Sequence, residues 1–450
     1  MTKTLVYQSN PLWLKLSSAF SDAVKPALFP SHTIRYKNLN WAEKTGFSGL
    51  SDAEWIDYFA KFTPLKDNLQ EPLALRYHGH QFTHYNPQLG DGRGFLYGQI
   101  KDLSSGKTLD FGTKGSGQTP YSRQGDGKLT LKGAVREALA TAFLEHKGVN
   151  TSKTFSIIET GESLDRQDEP SPTRSAVLVR LSQSHIRFGT FQRLAYFNQA
   201  TEMTELRDYV LQNYYPGVAP EDFFSAVAQA VAKTTAEWMI HGFVHGVLNT
   251  DNINITGESF DYGPYRFLPH YDPLFTAAYF DRESLYAYSR QPQTIYWNLQ
   301  QLELALRLID DTDENYKKGY QTFQETFEST TMDLFLKKLH LKPQSENLVK
   351  ELFSLCLFYL EKSKTPYESF FHKLTLWKSN PRQKLKELFP GDPIENIESL
   401  LSSFTLDDKK TISTKAPQTL LIDEIESIWE AIDKNDDWSL FDAKILSLEP

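Results

Sequence analysis

The stretch His245-Gly-Val-Leu-Asn-Thr-Asp251-Asn252, followed shortly by Asp261-Tyr262-Gly263, sets the reading of this chain. It places Asp251, Asn252 and Asp261 close together in a polar loop. Carboxylate and carboxamide oxygens are the hard donors that Mg²⁺ takes, and nucleotide phosphates commonly complete its octahedron. Asp251 is the acid beside Asn252, which makes it the candidate base. The plainer reading of Asn249-Thr-Asp-Asn is a turn that caps a helix.

Working upstream, three further pieces stand in an order that gives the loop meaning. Leu89-Gly-Asp-Gly-Arg-Gly-Phe-Leu-Tyr-Gly98 is a glycine-rich turn between apolar runs. There Gly90 and Gly92 let backbone N–H groups approach phosphate oxygens, and Arg93 adds a charge. By itself such a turn is more often a bare hairpin. Lys114 ends the strand-like run Thr108-Leu-Asp-Phe-Gly-Thr-Lys, and Glu137 follows on a helix-like segment. Glycine loop, Lys and helix Glu is the order used by protein kinases, whose catalytic loop reads His-Arg-Asp, four residues, then Asn. Aligned on His245 and Asn252, that pattern puts Gly246 where Arg belongs and Val247 where the catalytic Asp belongs. Val accepts no proton, so the chain keeps a metal site and lacks the usual base. Arg180 and Arg187 flank Leu181-Ser-Gln-Ser-His-Ile, and two guanidiniums can clamp a polyphosphate by paired hydrogen bonds. By default they are surface charges, but Arg180 ends an apolar strand, where a charge is unexpected. On spacing alone, Asp126 and Gly127 belong to a surface turn, and His185 is a hydrogen-bonded structural residue.

Composition bounds the rest. At 450 residues, 40% hydrophobic and 23% charged, the chain fills two or three lobes of an ordinary globular protein. A net charge of -9 argues against a general nucleic-acid binder. The single Cys356 excludes an intramolecular disulfide and a cysteine-rich zinc site. No signal-like or membrane-spanning apolar run occurs, so a cytoplasmic protein without membrane partners is expected. Short apolar runs between glycine turns, from Leu73 to about Leu181, predict strands, interrupted by one helix over Lys132 to His146. After Met203 the spacing predicts helices, among them Glu221 to Ile240, Trp297 to Ile309, Glu346 to Tyr359 and Leu420 to Ile432. The polar stretch 404 to 418 reads as a linker. The fold class is α+β.

Longer signatures add a resemblance. Tyr77-His-Gly-His-Gln-Phe, Lys114-Gly-Ser-Gly-Gln-Thr-Pro-Tyr-Ser-Arg, Ser184-His-Ile-Arg-Phe-Gly-Thr-Phe, the 245–252 loop and Asp261-Tyr-Gly-Pro resemble the selenoprotein O (YdiU) family of protein adenylyltransferases. They cover roughly residues 70 to 300 densely. The resemblance implies a bilobal protein-kinase-like fold with a β-rich N-lobe over 71–194 and a helical C-lobe over 195–403. Extensions would occupy 1–70 and 404–450. It implies transfer of AMP from ATP, bound in reverse, to Ser, Thr or Tyr hydroxyls of protein acceptors, with the chain itself among the candidates. Mg²⁺ or Mn²⁺ would be the cofactor. Lys114 and Glu137 would pair, and Gly90, Gly92 and Arg93 would sit on the nucleotide. Asp126, Gly127, Arg180 and Arg187 would take the γ-phosphate. Asp251 would be the base, Asn252 and Asp261 would hold the metal, and Asp261 would also contact the nucleotide. The sequence departs from the family in lacking a cysteine or selenocysteine near Pro450, and Ile422-Asp423 replace the usual Arg-Asn. A conventional kinase and a nucleotide-sensing pseudokinase are the alternatives. The first is disfavoured by Val247, the second by the presence of Lys114, Asp251 and Asp261.

Overall fold

A computed structural model describes residues 6–167, 169–407 and 412–449. Its centre is an eight-stranded antiparallel sheet. In spatial order the strands are Ser21–Ala23, Leu73–Leu75, Leu96–Lys101, Thr108–Lys114, Thr173–Ser182, Lys153–Leu164 and Thr33–Lys37, with Leu129–Thr130 paired to Thr173–Ser182. The register of the two central strands sets Lys114 opposite Leu178 and Arg180 opposite Gly112. Side chains alternate along a strand, so Lys114, Leu178 and Arg180 share one face. Phe111, Val177, Val179 and Leu181 point to the other.

Both faces are covered, which is why Ala176-Val-Leu-Val is an unbroken apolar run. The Phe111 face packs on Ala42, Phe47, Trp55 and Phe59, carried by the helices Leu39–Thr45 and Asp52–Phe59 and the turn between them. The second of these helices starts at a capping box in which Ser51 and Glu54 satisfy each other's backbone N–H. The Lys114 face packs on the helix Leu131–His146, whose Leu131, Leu139 and Phe143 are fully buried. Thr130 caps that helix by accepting from Gly133 N.

The first 70 residues, read from sequence only as short helix-like pieces, thus contribute a strand to each edge of the sheet. Strands of three and five residues are too short to show a period.

The rest of the chain is helical. Phe223–Ile240 packs lengthwise on Asp313–Lys338, and Gln291–Leu306 packs on Phe188–Tyr196. Glu346–Ser363 and Tyr367–Ser379 build a second core around Leu352, Cys356, Phe370 and Leu374. The buried Cys356 is the small apolar residue its neighbours suggested. Of the stretch expected as a linker, residues 408–411 lie outside the described residues; Phe404 is buried and Leu406 bridges to Leu341. Two closing helices, Ile422–Asn435 and Ser439–Leu448, return to the helix Leu131–His146. Lys132 reaches Glu426 at 2.7 Å, and the His146 ring meets the Leu448 carbonyl at 3.1 Å. The second of these helices has no counterpart in the sequence reading. The architecture is therefore mixed α/β, consistent with the α+β class. No helix among the described residues is long and apolar enough to cross a membrane.

Candidate active site

The central strands Thr108–Lys114 and Thr173–Ser182, the loops over 89–94 and 121–128 and the 245–263 loops converge on a cavity of about 770 Å³, within the range of small-ligand sites (about 300–1,000 Å³). Its wall contains Gly90, Gly92, Arg93, Lys114, Asp126, Gly127, Arg180, Arg187, Asp251, Asn252 and Asp261. Glu137 stands behind Lys114, outside the cavity wall.

The electrostatic centre is Asp261. Lys114 Nζ lies 2.9 Å and Arg180 Nη1 2.6 Å from its Oδ1, and Arg187 Nη1 lies 2.7 Å from its Oδ2. Burial alone would raise the carboxyl's pKa, but Arg180, Lys114 and Arg187 together hold it well below the usual range. Lys114 also reaches Glu137 Oε2 at 2.5 Å, and Arg180 stands 3.7 Å from Glu137 Oε1. Arg187 is shared further with Asp91 at 3.3 Å and with the Asp251 carbonyl at 2.9 Å. Three cations thus face three carboxylates in a buried cluster, an arrangement whose parts are costly to remove singly. Asp261 adopts φ +64°, in the left-handed region that costs a non-glycine residue about 1–3 kcal/mol. The cluster holds it there.

Asp251 is the opposite case. It sits in a single 3₁₀ turn, Thr250–Asn252, and its Oδ1 is buried with no hydrogen-bond partner. Burial pushes its carboxyl up to about 7, against the pull of Arg187. The turn is fixed from outside. His80 N donates to Thr250 Oγ1 at 2.7 Å, and Thr250 donates to Gln192 at 2.6 Å. Asn249 occupies the cap position but makes no capping bond. Its Oδ1 accepts instead from Phe82 N at 3.2 Å and Tyr286 OH at 2.7 Å. The capping reading of this segment is therefore replaced by a tertiary anchor. Asn252 Nδ2 donates to the Val247 carbonyl at 3.0 Å, which leaves its Oδ1 to other partners.

Several supporting residues escaped the sequence reading. Gly79 is the clearest, because a Cβ there would lie 2.8 Å from Asp251 Oδ1. Its backbone is the wall against which the carboxylate packs. A side chain on Gly90 would run into the Tyr121 ring, so this glycine serves loop-on-loop packing before it serves any ligand. Asp126 is engaged by Arg166 at 2.9 Å. His185 is structural, as its setting suggested: its ring meets Asp110 at 3.2 Å and accepts from Arg180 Nε at 3.1 Å. The Tyr77-His-Gly-His motif was the one sequence signal that could have led to Gly79.

Residues 3–449 of the chain match the family described as protein adenylyltransferase SelO. The chain belongs to this family. Curated relatives agree along their length. It is 42% identical to the protein nucleotidyltransferase YdiU of Trichormus variabilis, covering 99% of this chain and 96% of the relative. The protein of the same name from Trichodesmium erythraeum is 41% identical, with 96% of each chain covered. That from Vibrio parahaemolyticus is 32% identical over 83% of this chain and 76% of the relative. A SelO-family chain is a nucleotidyltransferase that uses ATP, and the cavity just described, lined by Lys114, Arg180, Arg187, Asp251 and Asp261, is the place for it.

Proposed function

We propose that this SelO-family enzyme moves AMP from ATP to Ser, Thr or Tyr hydroxyls of proteins, in a kinase-like site that holds the triphosphate reversed. In this reading residues 71–194 form the nucleotide-binding lobe and 195–403 the helical lobe, with 1–70 and 404–450 as extensions. The observation that carries it is Asp251: buried, with one free carboxylate oxygen and a pKa near 7, it is suited to take a proton at neutral pH. Val247, aligned with the kinase base, lines the same cavity and cannot do so.

The acceptor hydroxyl gives its proton to Asp251 as its oxygen bonds to the α-phosphorus. The bond from that phosphorus to the α–β bridging oxygen breaks, and pyrophosphate departs with the electron pair. Lys114, Arg180 and Arg187 carry the charge that offsets the departing anion. Gly90, Gly92 and Arg93 would sit on the nucleotide, and Asp126, Gly127, Arg180 and Arg187, which line the same cavity, would take the reversed γ-phosphate. Asp126 orients Arg166 there.

The donor set fits a divalent cation held jointly with phosphate. Asn252 Oδ1 makes no hydrogen bond among the described residues, and the ionised Asp261, whose two oxygens are held by Lys114, Arg180 and Arg187, would release one of these cations to the phosphates as it takes the metal. No cluster of three or more His, Cys, Asp or Glu suited to a metal occurs among them, so the remaining ligands would come from the nucleotide. Asn252 and Asp261 would hold Mg²⁺ or Mn²⁺, which supplies charge neutralisation to the phosphates.

The test is intact-protein mass spectrometry after incubation with ATP, Mg²⁺ or Mn²⁺ and a generic protein acceptor. An AMP-sized gain on the acceptor or on the chain itself is expected. A phosphate-sized gain would mean a kinase with another base, and no gain with ATP binding intact would mean a sensor.

A further inference from the structure

A second open cavity of about 540 Å³ adjoins the nucleotide cavity and shares Leu89, Tyr121, Arg123 and Gln124 with it. Its wall also contains His78, whose next residue, Gly79, packs on the Asp251 carboxylate. A polypeptide with its hydroxyl at Asp251 therefore has this groove as the adjacent space for its neighbouring residues.

The chemistry of the groove is unusual for a chain of net charge -9. Arg193 lies in its wall, half-buried, with its guanidinium 4.9 Å from the Phe197 ring centroid and with no side-chain ion pair or hydrogen bond among the described residues. The nearby acid is already taken: Asp22 accepts from Arg76 Nε at 2.9 Å, from Arg76 Nη2 and from Tyr121 OH. Burial and the neighbouring Arg76 both disfavour the charged form of Arg193. Such a cation gains from an incoming carboxylate. Arg123, on the lip common to both cavities, is exposed, has no ion pair among the described residues, and is held at φ +55°. His78 adds no charge at neutral pH, because burial lowers its pKa to about 4. Tyr196 and Phe197 are 56% and 52% exposed beside the groove, which gives it an apolar floor open to solvent.

We infer that this groove is the acceptor subsite, and that Arg193, with Arg123, selects protein segments bearing an Asp or Glu side chain within a few residues of the hydroxyl that receives AMP. The inference rests on the adenylyl-transfer reading above. A carboxylate paired with a partly buried guanidinium is worth roughly 1.5–3 kcal/mol, or on the order of tenfold to a hundredfold. Aromatic flanking residues would pack on Phe197.

The experiment uses the full chain, ATP, Mg²⁺ and matched acceptor peptides in which Glu or Gln is placed at successive positions around one Tyr. Casein and the chain itself are parallel acceptors, and AMP incorporation is read by mass spectrometry. The expected result is at least tenfold higher kcat/KM for Glu at one or two positions, carried mainly by KM. In Arg193→Gln the Glu/Gln ratio should fall close to one, and in Arg193→Glu a Lys-bearing peptide should overtake the Glu peptide. Calorimetric ATP affinity, which reports the fold of the neighbouring cavity, should stay within about twofold. Arg123→Gln should lower the ratio partially and serves as the second variant if Arg193 variants fail to bind ATP. A Glu/Gln ratio of one in the wild type, or a preference that survives both substitutions, overturns the groove assignment while leaving AMP transfer standing. Absence of AMP on every acceptor overturns the transfer reading itself.

Discussion

Replacing Asp251 by Asn should make the protein more stable and nearly inactive at the same pH, because the same burial serves both effects. The carboxyl moves from an ordinary value of 3.8 to about 7 in the fold. At 1.36 kcal/mol per pKa unit, the folded state disfavours the ionised form by about 4 kcal/mol. The sign follows from proton counting. Between pH 4 and 7 the folded state retains a proton that the unfolded chain has lost, so this group's contribution falls as pH rises and is fully adverse above about 7. A carboxamide in its place would have the same shape and carry no charge, so it escapes that penalty. For a chain of 450 residues about 1 kcal/mol corresponds to ~1 °C in Tm. Asp251→Asn should therefore raise Tm by about 4 °C at pH 8 and by only ~1–2 °C at pH 5. Differential scanning fluorimetry on both proteins across pH 5–8 reads this directly, with the other buried acids cancelling in the difference. AMP transfer should drop about 10²–10⁴-fold, and wild-type kcat/KM should climb with pH through about 7 before levelling. A Tm difference independent of pH, or wild-type activity that is flat down to pH 5, would refute a buried, protonated Asp251 as the base.

Other outcomes follow from the same geometry. Gly79→Ala sets a Cβ 2.8 Å from Asp251 Oδ1, so transfer should fall at least ~10-fold while calorimetric ATP binding persists; normal turnover would remove the packing role assigned to Gly79. Lys114→Met strips the cation that lies 2.5 Å from Glu137 and 2.9 Å from Asp261, and should cost about 3–5 kcal/mol of stability along with ATP affinity. Adding Glu137→Met should restore much of the stability and none of the activity, and a strictly additive double mutant would contradict the coupling. Arg180→Gln should weaken ATP by at least ~10-fold and AMP by less, measured by calorimetry, if Arg180 faces the terminal phosphates. Equal losses for both nucleotides would move it from the phosphates to the support of Asp261.

The parts of the site and their order were legible in the chain alone. The glycine turn, Lys114, Glu137 and the 245–263 loop could be read because each is a local pattern, and Val247 at the position of the usual kinase base disfavoured a conventional kinase from sequence alone. The helix read over Lys132 to His146 spans Leu131–His146, since its stripe of Ala134, Leu139 and Phe143 faces one continuous core. What the parts do to one another is a property of the packed fold. Arg180, Arg187 and Lys114 are dispersed along the chain, and the strand register together with the Asp261 turn brings all three onto one carboxylate. Asp251 and Asp261 look alike in sequence. In the fold one is pushed up to about 7 by burial, and the other is held far down by three cations. A pKa is a sum over everything packed around a group. Most of what surrounds Asp251, Gly79 and Gln192 included, lies tens to more than a hundred residues away in the chain.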